Sequence, residues 1–122
     1  MKRDMELIRR IVLAVEDSPT GYAQDDLGID DRTPEEIAYH AHLMIQAGLA
    51  TGVETTHMGS SSPSAQITSL TWEGHEFADA ARDETRWKKA MGIVQAKGGA
   101  VGFDVLKDLL SHFARLSLGL LS

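Results

Sequence analysis

TPEEIAYHAHLMIQAGLA, Thr33–Ala50, reads as one amphipathic helix whose two ends are both encoded. Thr33 suits the N-cap and Pro34 the first helical position, where a missing N–H costs nothing. Glu35 and Glu36 place negative charge at the positive end of the helix dipole. Gly48 ends the helix and Leu49 begins an extended segment. Ile37, Ala41, Met44 and Ile45 form the apolar face, flanked by Ala38, His40 and Ala47. Glu35, Tyr39, His42 and Gln46 recur at helical spacing on the opposite side, with Leu43 at the boundary beside Tyr39.

Downstream, Leu49–Glu54 and Gln66–Thr71 read as two strands, and HMGSSSPS between them (His57–Ser64) reads as a flexible tip. A helix closing on A-G-L and running into a hairpin is similar to the third helix and wing of a winged helix-turn-helix domain. Upstream, Asp4 to Glu16 forms a first helix with Met5, Ile8, Ile11, Val12 and Val15 on one face. Arg9 and Arg10 fall away from that face toward solvent. Asp17-Ser18-Pro19-Thr20-Gly21 is turn chemistry. In a winged helix the next stretch carries a short second helix. Here Gly28 and the pairs Asp25-Asp26 and Asp30-Asp31 spoil the pattern, so Tyr22–Asp31 reads as a much reduced, extended segment, with a short strand against the wing as an alternative.

Beyond the wing, a helix starts near Thr71 or Trp72 and returns Phe77, Ala78 and Ala81 to the core. Another spans Asp83 to Lys97, with Trp87, Met91 and Val94 on one face, and Gly98-Gly99 breaks it. The last helix, Gly102 to Leu120, carries Phe103, Leu106, Leu109, Leu110, Phe113, Leu116, Leu120 and Leu121 over a wide arc. No charged side chain follows Arg115. That much apolar surface must be covered by the domain itself or by a partner.

With 122 residues and 43% hydrophobic residues, the chain supports one core and a helical extension. The division expected is a winged-helix-like domain over 1–82 and an extension over 83–122. Absence of cysteine excludes disulfides and thiolate metal sites. Charges interrupt the apolar residues of MKRDMELIRR, so that stretch reads as neither a leader nor a membrane span, and a cytoplasmic protein without membrane contact is expected.

The formal net charge is −6, which opposes nucleic-acid binding because neutralising phosphates supplies most non-specific affinity. The distribution sharpens this point. Lys2, Arg3, Arg9 and Arg10 form one basic group; Arg82, Arg86, Lys88, Lys89 and Lys97 form another. Between Arg32 and Arg82 there is no Lys or Arg, so the central helix and wing have no phosphate anchor of their own.

Catalytic and metal chemistry find little footing. His40 and His42 lie about 200° apart around a helix axis and cannot face one ion. His75-Glu76 begins like a zinc-protease motif, but Asp79 stands where the second His belongs. The many acids of the 25–36 region suit capping and solvation better than paired acid–base work. No G-x-S-x-G, P-loop or G-x-G-x-x-G occurs. No catalytic residue, metal or cofactor is expected, and the protein is read as a non-enzyme.

Taken together, MKRDMELIRRIVLAVED, EEIAYHAHLMIQAGLA and LTWEGHEFADAARDETRW resemble domain-of-unknown-function family 2513, a bacterial and phage family, in their order and spacing over residues 1–100. The resemblance implies a small winged-helix fold and an association with prophages and mobile elements. It implies no activity, substrate or catalytic residue.

The expected fold is therefore α+β: a winged helix-turn-helix-like domain with a reduced second helix, a two-stranded wing and a helical C-terminal extension. The expected function is protein interaction or adaptor work, with a protein partner and self-association into a homodimer as its forms. Its candidate surface is Glu35, Tyr39, His42, Leu43 and Gln46, and its association helix Leu106, Leu109, Leu110, Phe113, Leu116 and Leu120. The alternative is a DNA-binding transcriptional regulator reading bases with the same stripe, Gln to adenine being a known pairing. Arg9, Arg10, Arg86, Lys88 and Lys89 would then hold phosphates.

Overall fold

The computed structural model describes residues 1–97 and 102–119. Its elements run α1 (Met5–Glu16), α2 (Pro34–Gln46), β1 (Ala50–Glu54), β2 (Ala65–Leu70), α3 (Trp72–Ala81), α4 (Glu84–Ala96) and α5 (Phe103–Ser117). Among the described residues the fold is α+β, five helices with one two-stranded antiparallel sheet. The chain divides into two compact units, Met1–Ala78 and Asp79–Ser122.

In the first unit, α1 begins where the Asp4 carboxylate accepts the N–H groups of Glu6 and Leu7. A cap of this kind contributes about 1 kcal/mol. Leu7, Ile8, Ile11, Val12 and Val15 are buried on its inner face. α2 opens with a complete capping box: Thr33 Oγ1 accepts the Glu36 N–H, and the Glu36 carboxylate accepts the Thr33 N–H. It closes on a Schellman motif, with Leu49 N–H donating to Met44 O, Gly48 N–H donating to Ile45 O, and Gly48 at φ 78°. Leu49 and Met44, which such a motif brings together, are both fully buried. This junction fixes the direction in which the chain leaves α2 for β1.

β1 and β2 pair from Ala50↔Leu70 to Glu54↔Ala65, with a register shift between Thr51 and Gly52. Ala50, Ala65 and Ile67 turn toward the helices, while Thr51 to Glu54 are exposed. Thr71 then ties the hairpin back: its N–H donates to Leu49 O and its hydroxyl to Gly48 O, while it accepts the Gly74 N–H at the start of α3. Phe77 of α3 is buried.

Between α1 and α2 the segment read as extended forms no helix, so the reduced second helix is reduced to nothing, and the short strand weighed for it does not form either. Residues 17–33 hold neither helix nor strand. Gly28 sits at φ 74° and the Asp26 carboxylate accepts its N–H, a local turn that competes with helix formation. One backbone bond, Ala23 N–H to Thr68 O, lays the segment against β2 without forming a third strand.

In the second unit, Asp83 caps α4 through the Arg86 N–H. Trp87, Ala90 and Val94 are its buried residues. α5 packs on α4, and Lys89 Nζ lies 4.9 Å from the centre of the Phe113 ring. The expected glycine break at Gly98-Gly99, Leu120, Leu121 and the Phe103 side chain lie outside the described residues.

Candidate interaction surface

The outward stripe of α2 is one structure with the hairpin that follows it. Glu35, in the first turn, accepts hydrogen bonds from the hydroxyls of Ser61 and Ser62 at 2.7 and 2.8 Å. Those two donors, Ser61 foremost, hold the Glu35 carboxyl below its ordinary range. Two turns on, His42 Nδ1 lies 2.7 Å from Glu54 at the end of β1. Glu54 accepts the Thr56 hydroxyl through the same oxygen. Tyr39 fills the interval, stacked on His42 at 6.4 Å and edge-on to His40 at 5.7 Å. Tyr39, His42 and Leu43 are half-buried, and Glu35 and Gln46 are exposed.

The tip of the hairpin has internal order as well. Thr55 N–H donates to Ser64 O, Ser64 N–H to Thr56 Oγ1, and His57 N–H to Ser60 Oγ. Helix and hairpin thus form a continuous plate whose polar groups are largely paired with one another.

Of the basic residues proposed for phosphate contact, Arg9, Arg10 and Lys88 each lie against a carboxylate. Arg9 pairs with Glu6 at 3.5 Å and is only 13% accessible, not solvated as its helical position suggests. Arg10 lies 2.8 Å from Asp31. Arg32 lies 2.6 Å from Asp4 and 4.0 Å from Glu36. In the second unit, Lys88 pairs with Glu84 at 3.5 Å. Arg86 Nε is buried with no hydrogen-bond partner among the described residues.

Of the association-helix candidates, Leu106, Leu110 and Phe113 are buried, Leu109 is half-buried, and Leu116 is exposed. Val105 and Leu118 add exposed apolar surface beside it. Among the described residues, no three His or carboxylate side chains converge as a metal site would require.

The family model described as hypothetical protein (DUF2513) matches residues 2–100. The chain belongs to that family. A Haemophilus influenzae protein named as an uncharacterized protein is 30% identical to it over 117 residues, covering 89% of this chain and 92% of the relative. No solved structure matches the chain. The resemblance carried by the three sequence blocks is borne out. In this family member the matched region contains all of α1 to α4 and stops short of α5.

Sequence reasoning named the helix residues of the plate but none of the hairpin residues that meet them. Ser61, Ser62 and Glu54 carry no signature that points to Glu35 or His42, because the contact is made only when the tip folds back on α2. The one available signal was compositional: a serine-rich tip supplies donors, and Glu35 is an acid near a helix start with no capping duty of its own. No helix among the described residues is long and apolar enough to cross a membrane.

Proposed function

We propose that this protein is a small non-enzymatic interaction or adaptor module of winged-helix type, cytoplasmic and of the phage or mobile-element kind. It works through the α2–hairpin plate and the outer side of α5. The order helix, helix, hairpin, with α2 packed against both strands, is compatible with a winged helix lacking its second helix. The observation that carries the functional reading is the pairing of the plate with itself. Glu35 is bonded to Ser61 and Ser62, His42 to Glu54, and no Lys or Arg lies between Arg32 and Arg82. What such a surface offers a partner is shape, the Tyr39–His42 ring pair and the free Gln46 amide, which suits a protein better than a polyphosphate.

The test pairs two measurements on the full chain. Capture from the native host, with Tyr39→Ala/Gln46→Ala and Leu116→Asp as comparison baits, should retrieve a protein partner that at least one folded variant loses. Fluorescence anisotropy with duplex DNA should show weak binding that Arg10→Gln leaves unchanged. Tight duplex binding lost in Arg10→Gln, with no variant-sensitive protein partner, would instead establish the DNA-binding regulator.

A further inference from the structure

Between α2, β2 and the irregular connection at residues 23–29 lies a cleft of about 310 Å3. That volume sits at the small end of the ~300–1,000 Å3 range of small-ligand sites. It opens on a different side of α2 from the outward stripe, since Ile37, Ala38 and Ala41 line it rather than Tyr39 or His42. Ala65 and Ile67 of β2 form the facing wall, and Leu27 and Ile29 approach from the connection. Three of these positions are alanines, whose side chains end at Cβ. Protein interiors normally close such space, because unfilled walls forfeit dispersion contacts. Here the connection, held to β2 by the Ala23–Thr68 bond, leaves it unfilled.

The polar groups at the cleft divide into committed and uncommitted. Arg32 is committed, its guanidinium 2.6 Å from Asp4. Asp26 gives one oxygen to the Gly28 N–H, at 2.8 Å, and keeps the other. The Asp25 carboxylate and the Gln24 amide have no side-chain hydrogen bond or ion pair among the described residues, while Gln66, between Ala65 and Ile67 on β2, turns its side chain to the other face of the hairpin. The chemistry left open is therefore two carboxylates and one amide beside an apolar slot, with the only lining cation among the described residues already neutralised.

We propose that this cleft binds a small organic cation with an apolar body, of arylalkylamine size. The apolar part lies against Ile37, Ala41 and Ile67. The ammonium faces Asp25 and Asp26, and the Gln24 side-chain carbonyl oxygen accepts one of its N–H groups. An anion of the same shape meets like charge at the rim, and a neutral analogue gains only the apolar burial.

Amide chemical shifts of the full chain, titrated with 2-phenylethylamine, phenylacetate and 2-phenylethanol, test this directly. The amine should move the amides of Ile37, Ala41 and Ile67 and bind about tenfold or more tightly than phenylacetate, with the alcohol between them. Asp25→Asn/Asp26→Asn should cost the amine roughly five- to tenfold and leave the alcohol unchanged. Ala38→Leu, placed to fill the slot, should abolish all three. Absence of cleft shifts at millimolar amine overturns the proposal, as does equal binding of amine and phenylacetate in the unaltered protein. An amine affinity indifferent to the double Asn variant overturns the assignment of the carboxylates.

Discussion

His40 is 2% exposed and spends both ring nitrogens on backbone groups. Nε2 accepts the Asp4 N–H at 2.9 Å, and Nδ1 lies 2.8 Å from the Glu36 carbonyl. A backbone N–H can only donate and a carbonyl only accept, so the proton resides on Nδ1. The residue expected as a half-buried flank of α2 is instead a pin between the start of α1 and the middle of α2. Replacing it with alanine leaves a cavity and orphans the Asp4 N–H, which should cost about 2–4 kcal/mol. Urea denaturation measures this directly, and a loss below about 0.5 kcal/mol, the size of an ordinary surface substitution, would refute the role.

Asp4 stands next to that pin and has a pH signature. Burial pushes its carboxyl up, but the hydrogen bond and charge of Arg32, with the N–H groups of Leu7 and Glu6, outweigh it and hold the group below its ordinary value of 3.8. A depressed carboxylate contributes stability that is fully present above the unfolded value and is lost as pH falls through the folded one. Asp4→Asn keeps a competent cap and removes the charge. Its stability deficit, on the order of 0.5–1 kcal/mol for a partly exposed pair, should hold through neutral pH and shrink as pH falls below 3.8. Denaturation midpoints measured from pH 7 to pH 2 provide the check, and a deficit constant across that range would remove Arg32 as its source.

At the scale of elements, the hairpin is held to α2 at two points, through Glu35 at the loop tip and through His42 where β1 ends and the loop begins. Glu35→Ala should release the tip while the strands stay paired. Amide hydrogen exchange should therefore rise over residues 57–64 and remain unchanged over β1 and β2, whereas equal protection in parent and variant would mean that the serine contacts do not order the tip. The junction behind it tolerates even less. A Cβ at Gly74 would land on the Leu49 carbonyl, the group that accepts the Thr71 N–H. Gly74→Ala should thus cost about 1–3 kcal/mol, as overpacking against backbone does, although alanine is the better helix former.

These elements also mark what a sequence makes legible. Thr33, Pro34, Gly48 and Asp83 announce helix ends because caps are local chemistry, and each stands where expected. Both strands and the remaining helices appear with shifts of a residue or two, except that α5 ends at Ser117, three residues before the end expected for it. The segment before α2 was harder, since its conformation is set by one bond to β2 and a glycine turn rather than by periodicity. The Glu35–serine and His42–Glu54 contacts were invisible, because residues 26 and 12 positions apart meet only after the hairpin folds back.

For the whole molecule, the charge argument gains force from the pairing pattern. A net charge of −6 alone would still allow a basic face. In the first unit, however, Arg9, Arg10 and Arg32 each lie against a carboxylate. A phosphate approaching any of them must displace that acid and then stand beside it. Counterion release, which gives non-specific duplex binding its affinity and salt dependence, therefore has little to operate on at these three residues. The expected duplex Kd near physiological salt is at or beyond the weak end of the non-specific range, about 100 µM, with a shallow dependence on salt. Asp31→Asn should strengthen binding modestly by freeing Arg10, and the salt slope should steepen by about one phosphate contact. Anisotropy titrations of parent and variant at several salt concentrations read both quantities. A parent slope equivalent to several phosphates, unchanged by Asp31→Asn, would mean that cations outside these pairs form a nucleic-acid face.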